Sequence, residues 1–400
     1  MTRSTRDDGR PSSAELGRLL VEKGALTPDW GPAFAAVPRT GFLPEVMWPH
    51  DRDTGRATAV SRTDDPDAWH AYADSDVPIV TQWDDGEHQG AEPGVVFTSS
   101  SSMPGLVFSM LADLDVRPGQ RVLEIGAGTG WNAALLAHRL GAENVVTVEV
   151  DPAVARSARE ALRRAGYGEV EVVTGDGLLG HPPRAPYARV IATVGLRGGL
   201  MTWVRQTTPG GVILVPWGTY YGFSEATARL VVAEDGRSAS GRFTQPVNFM
   251  RLRSQRFAYP RHSAYVPAGA ASGASTSTTR ITEAELLPDS TAVVEFALGL
   301  RVRDCTHVAD RKREGRRPVW FYGLTDRSWA VVVFRDDRGT ATVHQSGPRR
   351  LWDEVEAAYR WWEDRGRPGF PRFGLTVSAA GEDAWLDSPL NLVAPAAGPA

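Results

Sequence analysis

The chain of 400 residues has one cysteine, Cys305. A single thiol excludes an internal disulfide framework and a thiolate metal cluster. The eight histidines are scattered, with no H-x-x-x-H or similar ligand spacing, so no metal is expected. No apolar run approaches the ~18 residues of a membrane span, and no N-terminal segment has the pattern of a signal peptide. A cytoplasmic location away from membranes is the expectation. The net charge of −4 provides no basic footprint for nucleic acid. No internal repeat is evident, and the oligomeric state is left open. What remains, 42% apolar and 23% charged residues, is enough for two domains.

The most informative stretch is Val122-Leu123-Glu124-Ile125-Gly126-Ala127-Gly128-Thr129-Gly130. It reads as an apolar strand, a tight glycine turn and the start of a helix, Trp131–Leu140. A second apolar run, Val145-Val146-Thr147-Val148-Glu149, ends in an acid at about 20 residues past the turn, the spacing of a nucleotide-binding βαβ unit. Glycines let the backbone approach a ligand that a Cβ would repel. Dinucleotide sites favour G-x-G-x-x-G, with pyrophosphate on the helix N-terminus. Here the third glycine comes one residue early, and Glu124 precedes the turn. An acid there suits a cationic amine better than phosphates, which points to S-adenosyl-L-methionine. Glu149 is placed to hold ribose hydroxyls. After a third strand comes Thr174-Gly175-Asp176-Gly177, where Asp176 can accept from the adenine amine. The expected cofactor-binding set is Glu124, Gly126, Gly128, Gly130, Glu149, Asp176 and Gly177.

Alternation of strands and helices predicts an α/β fold with a Rossmann-like, mostly parallel, doubly wound sheet. The core strands are expected at Arg121–Ile125, Val145–Glu149, Glu171–Val173, Arg189–Thr193 and Val212–Pro216, with helices between the first four. Residues 1–13 read as disordered, a helix is expected over Ser13–Lys23, and residues 50–70 read as a surface insertion. Four regions follow: an N-terminal segment (1–90), the cofactor-binding core (91–222), connecting strands with a linker at 265–279 (223–280), and a C-terminal α+β region (281–400). In the last, Ala292–Leu300, Val319–Tyr322 and Ala330–Arg335 read as strands and Asp336–Gly339 as a hairpin turn. Apolar residues Leu351, Val355, Ala358, Tyr359 and Trp362 predict an amphipathic helix over 350–364. Trp352, Trp361 and Trp362 are read as core, with a binding face as the alternative. The basic run Arg311–Arg317 is read as a solvated loop, with an acidic-peptide dock as its alternative.

The order of further motifs is more specific than the glycine turn. Ala35-Ala36-Val37-Pro38-Arg39, Phe42-Leu43-Pro44, Ala71-Tyr72-Ala73-Asp74 and Pro78-Ile79 come first. Ser102-Met103-Pro104, Gly175-Asp176-Gly177, Ala185-Pro186-Tyr187, Pro209-Gly210-Gly211 and Val215-Pro216 follow. Over residues 14–218 the chain resembles the protein-L-isoaspartate O-methyltransferase family. The resemblance implies that Ser102 sits between cofactor and substrate carboxylate as the catalytic residue, with a neighbour in the run Thr98–Ser101 able to share the task. Where the family often has an aspartate, this chain has Ala188. Where an aromatic or histidine often follows the S-x-P proline, it has Gly105. About 180 residues also follow the core, a layout similar to family members that tailor ribosomally made peptides in actinobacteria.

The expected activity is methylation of an Asp carboxylate in such a peptide, probed against general repair of isoaspartate in aged proteins. Asp or isoAsp as acceptor stays open. Carboxyl methylation needs no general base, since a carboxylate is ionised at neutral pH. No Ser-His-Asp or Lys-centred constellation is visible. The segment Ala192-Thr193-Val194-Gly195 lacks the N-P-P-Y pattern of enzymes acting on nucleic acid or amide nitrogen. A small-molecule O-methyltransferase would need a base or metal, and a non-catalytic binding module would have no use for the three strand-end acids.

Overall fold

The computed structural model describes residues 12–51, 54–266, 273–287 and 293–396. The predicted disorder at the N-terminus therefore falls almost wholly outside the described residues. The chain divides into two compact units. The first comprises residues 1–194, 202–214 and 231–236, the second residues 195–201, 215–230 and 237–400.

In the first unit the helix Ser13–Glu22 starts at a capping box: Ser12 Oγ accepts from the Glu15 amide while Glu15 reaches back to Ser12. The strands Val46–Asp51, Ile79–Trp83 and Phe97–Ser101 then form an antiparallel sheet. Residues 50–70 are more than a surface insertion. Val60 and Trp69 join Met47, Ala73 and Ile79 in a buried cluster, and Trp69 is completely covered.

The core sheet of this unit is parallel. Its strands are Val122–Ile125, Val145–Glu149, Glu171–Thr174, Tyr187–Ala192 and the first half of Thr207–Gly218. Val122–Ile125 lies between Val145–Glu149 and Tyr187–Ala192. The order in which successive strands are added therefore reverses beside the glycine turn, the switch point where ligands of such folds bind. Val122–Ile125, Val145–Glu149 and Tyr187–Ala192 are buried on both faces, as their apolar runs imply, whereas Glu171–Thr174 at the sheet edge is largely not. Helices Trp131–Leu140 and Pro152–Arg164 supply the crossovers. The expected helix between the third and fourth strands is replaced by two 3-10 turns, Gly177–Leu179 and Pro182–Arg184. Three prolines, Pro182, Pro183 and Pro186, lack amide donors, and Gly180 adopts a positive φ, so no helix can run through.

The second unit contains a five-stranded antiparallel sheet in the order Ser275–Thr279, Ala341–Ser346, Trp329–Arg335, Arg316–Gly323, Cys305–Ala309. The amphipathic helix Leu351–Asp364 packs on this sheet, with Trp352 beside Phe321 at 5.8 Å between rings. Trp352 and Trp362 are buried, in line with the core reading. Trp361 is half-buried between the guanidinium groups of Arg301 and Arg365. A second antiparallel group joins Ala239–Val247, Phe373–Ser378 and Gly381–Leu386.

Three expectations change here. Val293–Arg301 is a helix, not a strand. Six of its nine residues are buried, including the unbroken run Phe296–Leu300, and a short apolar run does not distinguish helix from strand by its period. Ser275–Thr279, read as linker, is the edge strand of the five-stranded sheet; residues 267–272 of that linker lie outside the described residues. Arg316 and Arg317 sit in a strand rather than a loop, and Arg317 and Lys312 both pair with Glu283.

Candidate active site

The carboxyl ends of the parallel strands bring the predicted residues of the glycine turn and strand ends together. Gly126, Gly128 and Gly130 all have positive φ, at 97°, 51° and 85°. The turn needs glycine for a second reason. A Cβ on Gly126 would lie 2.8 Å from Thr193 Oγ1 and 2.9 Å from Val194 Cγ1. Thr193 in turn donates to the Gly126 carbonyl at 2.7 Å and so ties the fourth strand to the turn.

Glu149 is nearly buried at the end of the second strand. Its Oε2 accepts from the Gly128 amide at 3.0 Å and its Oε1 from the Asp151 amide at 3.1 Å. A carboxylate has about four acceptor directions, so two remain for a ligand's hydroxyls. Asp176 caps the following 3-10 turn by accepting from the Leu178 amide at 3.0 Å. Gly177 is buried, and its carbonyl accepts from Trp203 Nε1 at 3.0 Å.

Glu124 is completely buried. Asn132 Nδ2 donates to its Oε1 at 2.6 Å and Thr147 Oγ1 to its Oε2 at 2.5 Å. Burial pushes its carboxyl up to about 7, against the pull of these two donors and with a further push from Glu149. Glu124 thus positions Asn132, at the start of the helix after the glycine turn.

The serine segment is held by a residue the sequence reading quoted but did not assign. Arg39 is buried, and its guanidinium donates to Ser101 Oγ and to the carbonyls of Ser75, Val77, Ser101 and Ser102 at 2.9–3.3 Å. Burial pushes its pKa down to about 9, still charged at neutral pH. The ring of Trp131, first residue of the helix after the glycine turn, lies 5.6 Å from this guanidinium. The signal was a lone arginine after Val37-Pro38 in an otherwise apolar stretch. Ser99 and Ser101 point into the interior, and Ser101 Oγ is taken by Arg39. Ser102 is half-buried, and its hydroxyl makes no hydrogen bond among the described residues. A Cβ on Gly128 would lie 3.2 Å from the Ser100 carbonyl oxygen, so the end of the serine strand rests against the glycine turn. Gly105, where an aromatic was expected from the resemblance, donates its amide to Asp76 at 2.7 Å; a Cβ there would lie 2.9 Å from both Asp76 oxygens.

Among the described residues no group of His, Cys, Asp and Glu is placed to hold a metal ion, and no helix is long and apolar enough to cross a membrane.

The parallel sheet, the glycine turn at its switch point and the acids at successive strand ends define a Rossmann-like methyltransferase core. Residues 65–256 match the family model described as Protein-L-isoaspartate(D-aspartate) O-methyltransferase. The protein-L-isoaspartate O-methyltransferase of Ignicoccus hospitalis is 39% identical over 204 residues, which are 50% of this chain and 80% of that protein. The Pyrococcus horikoshii protein of the same name is 39% identical over 135 residues, 34% of this chain and 60% of its own length. A solved structure titled protein-L-isoaspartate O-methyltransferase shares the fold at a TM-score of 0.52 and 21% identity, covering 94% of this chain and all of its own. The chain belongs to the protein-L-isoaspartate(D-aspartate) O-methyltransferase family.

Proposed function

We propose that the chain transfers a methyl group from S-adenosyl-L-methionine to a carboxylate of an Asp or isoAsp residue in a peptide or protein. The observation that carries this reading is the serine segment, pinned by Arg39 and resting against the glycine turn with the Ser102 hydroxyl unengaged. The turn fits the cofactor: its three glycines leave a backbone cradle without Cβ atoms, and Glu149 keeps acceptor capacity beside it.

Bound S-adenosyl-L-methionine supplies the electrophilic methyl group. Glu149 holds ribose hydroxyls, and Asp176 accepts from the adenine amine. Glu124 with Asn132 faces the cationic amine. Ser102 donates one neutral hydrogen bond to the acceptor carboxylate. A neutral donor orients the nucleophile without stabilising its charge, so it does not raise the barrier to a step in which opposite charges cancel. No base is required, because the acceptor is already ionised. The resulting ester carries a better leaving group than the carboxylate: attack by the next residue's backbone amide nitrogen expels methanol and closes an aspartimide, which water opens to aspartate or isoaspartate.

Ser102→Ala is expected to slow turnover about 10-fold, the loss of one oriented neutral hydrogen bond, with cofactor affinity nearly unchanged. Single-turnover rates on an isoaspartyl peptide, followed by the mass gain of one methyl group, decide it. Parent-like rates would transfer the role to Ser100 or remove it from the segment.

The raised pKa of Glu124 has a sign that can be tested. Without a cation nearby this carboxyl is half protonated near pH 7. A group raised from its unfolded value contributes stability below that value and loses it as pH rises through about 7. A cationic amine reverses the preference, because it needs the ionised form. Cofactor affinity should therefore strengthen from pH 6 to pH 8, by up to about tenfold per unit below pH 7. Calorimetry giving a flat Kd over this range would confine Glu124 to holding Asn132.

A dedicated, cyclised peptide as substrate is the finer reading. Its support is that most of the second unit, residues 257–400, lies beyond the stretch matched by the family model. The expected result is a higher kcat/KM on the constrained peptide than on its linear form. Equal or better values on linear isoaspartyl peptides would favour general repair.

A further inference from the structure

The second unit contains a guanidinium with no ion pair of its own among the described residues, since the nearby carboxylate of Glu225 is paired to Arg197. Arg251 is half-buried, and its one hydrogen bond among the described residues runs from Nη2 to the Gly222 carbonyl at 3.2 Å. Its guanidinium carbon lies 5.7, 5.9 and 5.1 Å from the rings of Tyr220, Phe223 and Phe257. The neighbouring Arg197 is different. It is buried and paired with the equally buried Glu225 at 2.6 Å. Glu225 also accepts from the Phe249 amide, and Glu295 is engaged by the amides of Phe223 and Ser224. Two guanidiniums thus share one nearby carboxylate, and most of the five donors of Arg251 are unused.

An unpaired half-buried cation costs folding energy, and the rings offset only part of it. Such an arrangement makes sense where an anion arrives from outside. Tyr220 and Phe257 also line a cavity of about 510 Å³ together with Arg261, Tyr265, Asp304 and Arg327. Arg327 lies over the Tyr265 ring at 5.2 Å. The cavity therefore carries two more arginines against one aspartate. In the basic run Arg311–Arg317, by contrast, Lys312 pairs with Glu283 and Asp336, and Arg317 pairs with Glu283.

We propose that Arg251, with Arg261 and Arg327 along the cavity, binds a carboxylate of the peptide substrate other than the one that is methylated. The acceptor itself is excluded on chemical grounds, since a carboxylate paired to a guanidinium is a weaker nucleophile. The aromatic walls suit the apolar backbone and side chains that flank such a carboxylate. This proposal rests on the carboxyl methyltransferase reading for its choice of peptide as ligand.

The test measures binding to the full-length protein by fluorescence anisotropy, without cofactor. The probes are a labelled isoaspartyl peptide with flanking glutamates and its glutamine counterpart, each as free acid and as C-terminal amide. The glutamate peptide should bind about 10-fold more tightly than the glutamine peptide. In Arg251→Gln that ratio should fall to near one, and in Arg251→Lys it should stay intermediate. Arg311→Gln, an equal charge change at an exposed turn, should keep it. Preference surviving in the amides assigns side-chain carboxylates; preference confined to the free acids assigns the C-terminus. Thermal unfolding checks that the Arg251 variants are folded, and the Lys variant decides the matter if the Gln variant is not. A parent ratio of one, or a ratio that survives in Arg251→Gln, overturns the site. A peptide bound with the expected charge preference but never methylated counts against carboxyl methylation and leaves the Arg251 site standing.

Discussion

Arg39→Leu is expected to destabilise the first unit by about 3 kcal/mol and to depress turnover well beyond the loss from Ser102→Ala. Four carbonyls and the Ser101 hydroxyl lose their donor at a position with almost no access to water. A buried acceptor without a partner costs about 1–3 kcal/mol, and water entering the cavity recovers part of that. The carbonyls released include those of Ser101 and Ser102, so the acceptor-orienting hydroxyl also loses its anchor. Lysine cannot restore the arrangement, because a single ammonium does not reproduce the planar fork that reaches Ser75, Val77 and the serine segment at once. Urea unfolding of parent, Leu and Lys variants measures the first effect, and single-turnover kinetics at a temperature where all are folded measures the second. Parent-like stability in Arg39→Leu would show that the guanidinium is dispensable to the segment.

Glu149→Ala should weaken S-adenosyl-L-methionine binding by about 2–3 kcal/mol, since ribose hydroxyls then enter a partly dry site without an acceptor. The structure adds a second contribution. The same carboxylate holds the Gly128 amide, so the alanine also loosens the turn that approaches the cofactor. Glu149→Gln separates the two, because one amide oxygen can still accept from Gly128 while the other position has become a donor. Calorimetry should rank parent, Gln and Ala in falling affinity. Unchanged affinity in the alanine variant would remove Glu149 from the cofactor site.

The parts of the fold legible in the sequence were those with a strong local period or a forced backbone. Val122–Ile125 and Val145–Glu149 are β-branched runs bounded by glycine and acid, and they appear within a residue of expectation. The glycine turn announces itself because three closely spaced positive φ angles are ones that other residues rarely adopt. Val293–Arg301 failed for the opposite reason: its unbroken apolar run Phe296–Leu300 carries no period that tells helix from strand. Ser275–Thr279 failed because an edge strand of serine and threonine has the composition of a linker, and only its pairing with Ala341–Ser346 makes it a strand. In the site, acids at strand ends follow from spacing. Their partners do not. Arg39 reaches Ser102 across 63 positions and Thr147 reaches Glu124 across 23, distances at which a single sequence carries no signal of contact.

The assignment of segments to the two units has a practical consequence for anyone wishing to take the protein apart. Residues 195–201 and 215–230 belong to the second unit but are threaded between segments of the first, and residues 231–236 return to the first. The polypeptide changes unit five times: at 194/195, 201/202, 214/215, 230/231 and 236/237. A stop codon near Gly222 therefore deletes Val231–Gly236 from the first unit and strands 215–222 from the second. Neither half is a cassette that can be cut out by a protease or moved into another gene. Swapping peptide preference between relatives will have to proceed by side-chain grafting at positions such as Arg251, not by exchanging a contiguous block.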